Sequence, residues 1–109
     1  MMKNKFDFTE GEWEYNWKEA EFKVFSENKP ICRIVKEFNE DGFLKAEANA
    51  RLIACAPETI MALIRATCTF EILNNQTGND PETTQMLKYY TDIIEKATGK
   101  KWSEINAKK

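Results

Sequence analysis

Apolar and polar residues alternate along the first third of the chain, and the period then lengthens to three or four. Trp13, Tyr15 and Trp17 alternate with Glu14 and Asn16, the period-2 pattern of a half-buried strand. Phe22, Val24 and Phe25 form a second short run. Ile31-Cys32-Arg33-Ile34-Val35 is a third, set off by the turn-like Asn28-Lys29-Pro30. The pattern predicts an antiparallel meander of three or four strands within about residues 12–36, a sheet that needs cover on its apolar face.

Glu40-Asp41-Gly42 marks the switch to helix, and three helices are expected, over about 43–55, 57–73 and 81–97. Pro57 suits the first turn of the second, because a proline N–H would be unpaired there in any case. The polar run from Asn74 to Asn79 reads as a loop. Asp80-Pro81 supplies an N-cap and first turn for the third helix, and Gly99 a stop. The tail 100–109 sets four lysines around Trp102 and reads as a frayed end, with Trp102 the side chain suited to dock it. The expected fold class is therefore α+β: a short antiparallel meander followed by three helices, the last two an antiparallel hairpin, in one domain over residues 1–99.

Helical projection assigns each helix a face. Met86, Leu87, Tyr89, Tyr90, Ile93, Ile94 and Ala97 share one arc of the third helix; Ile60, Met61, Leu63, Ile64 and Cys68 form a stripe on the second. The first helix is apolar or small nearly all round. Leu44, Ala48, Leu52 and Cys55 lie on one side, and Ala46, Ala50, Ile53 and Ala54 occupy much of the other. Such a helix is expected to be covered twice, by the sheet and by either the hairpin or a second subunit, so a homo-oligomer is expected.

Composition narrows the function classes. Sixteen basic and eighteen acidic residues give a net charge of −2, spread evenly along the chain. That balance argues against a nucleic-acid partner held through phosphate neutralisation. No stretch approaches the ~20 apolar residues of a membrane span, and Met1 to Phe8 lacks an apolar signal core. No membrane partner and a cytoplasmic location are the expectation. Cys32, Cys55 and Cys68 are widely spaced and read as free thiols.

The chain has no histidine, which removes the commonest general base and most zinc sites. It also lacks a Gly-rich phosphate loop. Acidic pairs such as Glu40/Asp41 and Glu12/Glu14 are those of ordinary surfaces. The reading is a binding protein with no catalytic residue, no cofactor and no metal. The candidate ligand contacts are Asn49, Arg51, Trp13 and Arg65. Arg51 falls near the Leu44/Ala48/Cys55 arc, so its head is expected to turn inward, and Asn49 is expected as a buried amide needing partners. Both also have a packing role open to them: Glu47 stands four residues before Arg51, the favourable ion-pair order, and Asn49 could bond a strand edge. Trp13 could stack on a base, although strict alternation favours the sheet core. Arg65, on the polar side of the second helix, is better suited to a solvated charge than to a ligand contact.

The segment Ala46-Glu47-Ala48-Asn49-Ala50-Arg51-Leu52-Ile53-Ala54-Cys55-Ala56-Pro57-Glu58 resembles small phage and prophage accessory proteins with an "E-A-N-A-R/K-L-I-A-x-A-P-E" segment. Those proteins open on a "T-P-G-P-W" turn, of which Thr9-Glu10-Gly11-Glu12-Trp13 keeps the threonine, glycine and tryptophan but neither proline. The closing Ile94-Glu95-Lys96-Ala97-Thr98-Gly99 is also similar. The resemblance implies a phage accessory protein. By fold-level analogy it implies a counter-defence binder sequestering a nucleotide-derived immune signal. Two alternatives stand beside it: an inhibitor docking on a host defence or replication protein, and a non-enzymatic structural accessory protein. No binding residue is carried over from the resemblance.

Overall fold

The computed structural model describes residues 6–35, 39 and 41–106. Strands β1 (Glu14–Lys18), β2 (Glu21–Ser26) and β3 (Lys29–Ile34) precede helices α1 (Gly42–Ala54), α2 (Ala56–Gln76), α3 (Pro81–Thr98) and α4 (Trp102–Ile105). The α+β class is as expected. Glu40 of the acidic pair and the lysines at 108 and 109 lie outside the described residues. The chain divides into two compact units, a sheet unit of Thr9–Glu58 and a helical unit of Met1–Phe8 with Thr59–Lys109.

In the sheet unit the strands form an antiparallel sheet of order β1-β2-β3. Phe22, Val24 and Ser26 of β2 are all buried, the inward set of a period-2 strand. Both connections are two-residue turns with positive φ at each central residue, Glu19 and Ala20 in the first, Glu27 and Asn28 in the second. That geometry matches the strand twist but favours Gly or Asn, and only Asn28 fits the preference. The turn expected at Asn28-Lys29-Pro30 is thus shifted: Lys29 and Pro30 already belong to β3, where Pro30 pairs with Phe25. An edge strand tolerates the missing N–H. Cys32 pairs with Val24 and Pro30 with Phe25, leaving Ile31 as the extra residue of a bulge.

α1 closes the sheet through small residues. Gly42, Ala46 and Ala50 are buried, and Ala54 packs against the same cluster of Phe22, Val24 and Ile34. A small side chain at every fourth position lets the helix backbone approach the strands closely. At one end Trp17, Phe22 and Phe43 form a ring cluster with centroids 4.9–5.1 Å apart, a geometry worth about 0.5–1.5 kcal/mol per pair beyond area burial. The Thr9–Trp13 opening is a latch. The Trp13 indole N–H donates to the Thr9 carbonyl at 2.9 Å, and the buried Ser26 hydroxyl donates to the Glu10 carbonyl at 2.7 Å. Gly11 lies at φ +95, and a Cβ there would stand 2.5 Å from Ser26 Oγ. Only glycine meets both conditions.

In the helical unit, Phe6, Ile64, Ile94 and Ile105 form the buried core. Ile64 shares that core with Ile94, the Phe70 and Tyr90 rings are 6.1 Å apart, and Asn74 bonds Thr84. Rising positions on α2 meet falling positions on α3, so the two helices form the expected antiparallel hairpin. α2 runs past the expected end at Leu73 to Gln76. Thr77 N–H donates to the Leu73 carbonyl and Asn79 N–H to that of Asn74, and positive φ at Gly78 and Asn79 reverses the chain. Asp80 caps α3 through the Thr83 N–H at 3.0 Å. Within the frayed tail expected at residues 100–109, Trp102–Ile105 form α4. Ile105 is buried, Glu95 accepts the Trp102 N–H at 2.7 Å, and Glu71 accepts the Asn106 amide at 2.8 Å. Among the described residues no single helix is long and apolar enough to cross a membrane.

Candidate functional site

The residues singled out in the sequence do not assemble into one site. Asn49 and Arg51 are two positions apart on α1, about 200° around the helix axis, and so point away from each other. Arg51 does not turn inward: its side chain is 60% exposed and lies 3.7 Å from Glu47, a surface pair of small energetic weight. Asn49 is exposed rather than buried. The physical reason is the small-residue face. With Gly42, Ala46 and Ala50 taking the sheet side, Asn49 and Arg51 fall on positions left exposed. Trp13 is half-buried against the sheet core with its indole N–H bonded to Thr9, so it is not an open stacking platform. Arg65 is exposed on α2, in the helical unit.

A cleft in the helical unit has a different composition. About 390 Å³ in volume, it is lined by residues of α2 (Glu71, Asn74, Asn75), the following loop (Asn79), α3 (Thr84, Leu87, Lys88, Thr91) and α4 (Trp102). Three of its nine lining residues are asparagines, which offer donors and acceptors together.

Asn74 is the decisive residue. It is only 5% exposed, its Nδ2 donates to Thr84 Oγ1 at 3.2 Å, and its Oδ1 has no partner. Turning the amide over would pair Oδ1 with the Thr84 hydroxyl and leave Nδ2 without a partner. Either way one end of a buried amide is free, at a cost of about 1–3 kcal/mol if nothing meets it. No other buried side-chain nitrogen or oxygen among the described residues lacks a partner.

The cleft wall is fixed by carboxylates. Glu71 accepts from Asn106 Nδ2 at 2.8 Å and from Trp102 Nε1 at 3.4 Å, which orients the indole. Lys88 is 76% exposed and 3.2 Å from Asp92, one turn along α3. The arrangement offers a buried amide end, an indole, a carboxylate and an exposed ammonium. Among the described residues no group of three or more His, Cys, Asp or Glu could hold a metal ion, and the three cysteines are unpaired.

Asn74 was missed because the run from Asn74 to Asn79 looks like a polar loop. The available signal was helical phase: Asn74 lies ten residues after Ile64 on the same face, about 80° away.

Fold and cleft together define a small α+β protein made of a sheet–helix unit and a helical unit, the latter holding the one half-paired buried amide among the described residues. The chain belongs to the family of Salmonella phage P22 protein Y8K6, whose model it matches over residues 2–101. No curated protein and no solved structure matches it. Its likeness to phage proteins therefore stands at the level of that family.

Proposed function

We propose that this phage-family protein is a binder rather than a catalyst, a counter-defence protein that sequesters a small nucleotide-derived ligand in the α2–α3–α4 cleft. The observation that carries the reading is the free end of the buried Asn74 amide. A nucleobase presents both donors and acceptors on its edge, so it can satisfy that end in either orientation of the amide. Trp102 and Lys88 line the same cleft, the indole held edge-on to Glu71 through its N–H and the exposed Lys88 ammonium suited to an acidic group. The test is a thermal-shift panel of cyclic dinucleotides, cyclic trinucleotides and cyclic ADP-ribose isomers at ligand excess. A shift with the parent protein that disappears in Asn74→Leu supports the reading. Absence of any shift across the panel sinks it.

A second reading, an inhibitor that docks on a host defence or replication protein, is favoured by a separate observation. Met86, Tyr89 and Ile93 make an exposed apolar stripe along α3, Tyr89 being 64% exposed. Under that reading Tyr89→Glu abolishes capture of one defined host protein and leaves the thermal-shift panel unchanged.

A further inference from the structure

The charges around the Asn74 cleft bear on which part of a ligand it admits. Of the nine lining residues only Glu71 and Lys88 are ionised. Glu71 is half-buried in the wall, and its two partners, the Asn106 amide and the Trp102 indole, are neutral, so they leave its negative charge uncompensated. Lys88 stands at the solvent edge, 76% exposed, with its ammonium 3.2 Å from Asp92. The lining cation is thus already partnered and the lining anion is not.

The start of α3 adds to this. A helix N-terminus ordinarily offers free N–H groups and a positive dipole end to an anion. Here the Asp80 carboxylate occupies that end, accepting from the Thr83 N–H at 3.0 Å and from its hydroxyl at 3.1 Å, and Glu82 lies in the first turn. Thr84, which lines the cleft, follows directly. A phosphate entering between α2 and α3 would meet Glu71 on one side and an acid-capped helix end on the other. Its one cation, Lys88, would have to leave Asp92.

An uncharged ring meets the opposite conditions. Asn74, Asn75 and Asn79 offer amide donors and acceptors, and the buried Asn74 amide has an unpaired end. Glu71 uses two of the roughly four acceptor positions of a carboxylate, which leaves room for a ring amino group. Glu71 and Asn74 are three residues apart on α2, and so are neighbours on one helix face.

We infer that the cleft takes the uncharged, amino-bearing base of its ligand and leaves the phosphates in solvent. The inference rests on the proposed sequestering function and narrows it, since repulsion by Glu71 and Asp80 selects which end of the ligand enters.

The test is isothermal titration calorimetry on the full chain with adenosine, inosine, cytidine and uridine and the 5′-monophosphate of each, at low and high salt. Each nucleoside that binds is expected to do so at least as tightly as its monophosphate. Adenosine over inosine, or cytidine over uridine, is expected to gain about fivefold or more, because the amino group of the first is a carbonyl in the second. Glu71→Gln is expected to shrink both ratios, and a ratio does not move when a substitution merely loosens the fold. Lys88→Gln is expected to move either ratio by less than about twofold. Monophosphates binding about tenfold tighter than nucleosides, with the excess lost at high salt or in Lys88→Gln, would overturn the inference and leave the sequestering function standing. Equal binding within both base pairs, or cyclic dinucleotides binding where no nucleoside does, would also overturn the inference alone. Absence of binding by any nucleoside, nucleotide or cyclic nucleotide would overturn both.

Discussion

The two units bury polar groups in opposite ways. Among the described residues, the sheet unit buries one polar side chain, Ser26, and pairs it with the Glu10 carbonyl. The helical unit buries three of those described, Thr67, Asn74 and Thr98. The two threonines return their hydroxyls to their own helices at Leu63 and Ile94, and only Asn74 is left half-satisfied. A fully paired interior is what a scaffold needs. A half-paired amide at the wall of an open cleft is what a binding site offers to its ligand. Under the proposed function, scaffolding falls to the first unit and recognition to the second, the reverse of what the motif on α1 suggests.

The contrast breaks first at Gly11. Gly11→Ala combines a positive φ with a Cβ against Ser26 Oγ, and displacing that hydroxyl leaves it buried without its acceptor. A loss of about 2–4 kcal/mol is expected, read as a lower urea midpoint; an unchanged midpoint would remove the latch from the account. Next comes a pair of substitutions on one helix. Ala50→Leu, on the sheet side of α1, is expected to cost about 1–3 kcal/mol by overpacking. Ala48→Leu, on the outer side, is expected to change monomer stability by less than about 0.5 kcal/mol. Equal costs would mean that the two faces are not distinct.

In the helical unit the sign reverses. Asn74→Leu removes an unpaired polar atom and frees the Thr84 hydroxyl to bond elsewhere, so stability is expected to hold or rise by up to about 1 kcal/mol in denaturant titration. A loss above about 2 kcal/mol would mean that Asn74 is a structural bond and not a reserved one. Smaller again is Ala20→Gly in the β1–β2 turn, where φ is +64. Relief of left-handed strain is expected to raise the thermal midpoint by the equivalent of about 0.5–1 kcal/mol.

The smallest effect is electrostatic. The Lys23 ammonium, 2.7 Å from Glu19, holds the Glu19 carboxyl below its ordinary 4.5 by hydrogen bonding and charge. A depressed carboxyl contributes stability above its unfolded value, and that contribution is lost as pH falls through the folded one. Glu19→Gln is accordingly expected to lower stability slightly at neutrality and to flatten the curve below about pH 4.5, where the parent loses the same contribution on its own. The same pairing raises Lys23, whose contribution is present below its ordinary 10.5 and fades only in strong alkali.

Much of the fold is legible because it follows from short-range periods. Tyr15 and Trp17 alternate, Phe22 and Val24 repeat at two, and Asp80-Pro81 and Gly99 bracket α3 through local chemistry. The turns were less so. Glu19-Ala20 and Glu27-Asn28 adopt left-handed φ because strand pairing imposes it on residues with little intrinsic preference for it. The cleft was illegible for a further reason: it exists only where α2, α3 and α4 meet. Asn74 reads as loop until Thr84 is known to stand 3.2 Å away, and Trp102 reads as tail until Glu71 and Glu95 hold it. Asn49 and Arg51 are polar groups on an apolar helix, yet Gly42, Ala46 and Ala50 take the sheet side and leave both side chains exposed.

The central claim, that the cleft around Asn74 holds a small nucleobase-containing ligand, is tested most directly by mass spectrometry. The parent protein and Asn74→Leu would be purified in parallel from bacterial cells with an active nucleotide-signalling defence, then denatured to release what they carry. The account predicts a nucleobase-containing molecule released intact from the parent and absent from the variant. Release of nothing from a folded parent, or of the same molecule in equal amount from both, would contradict it.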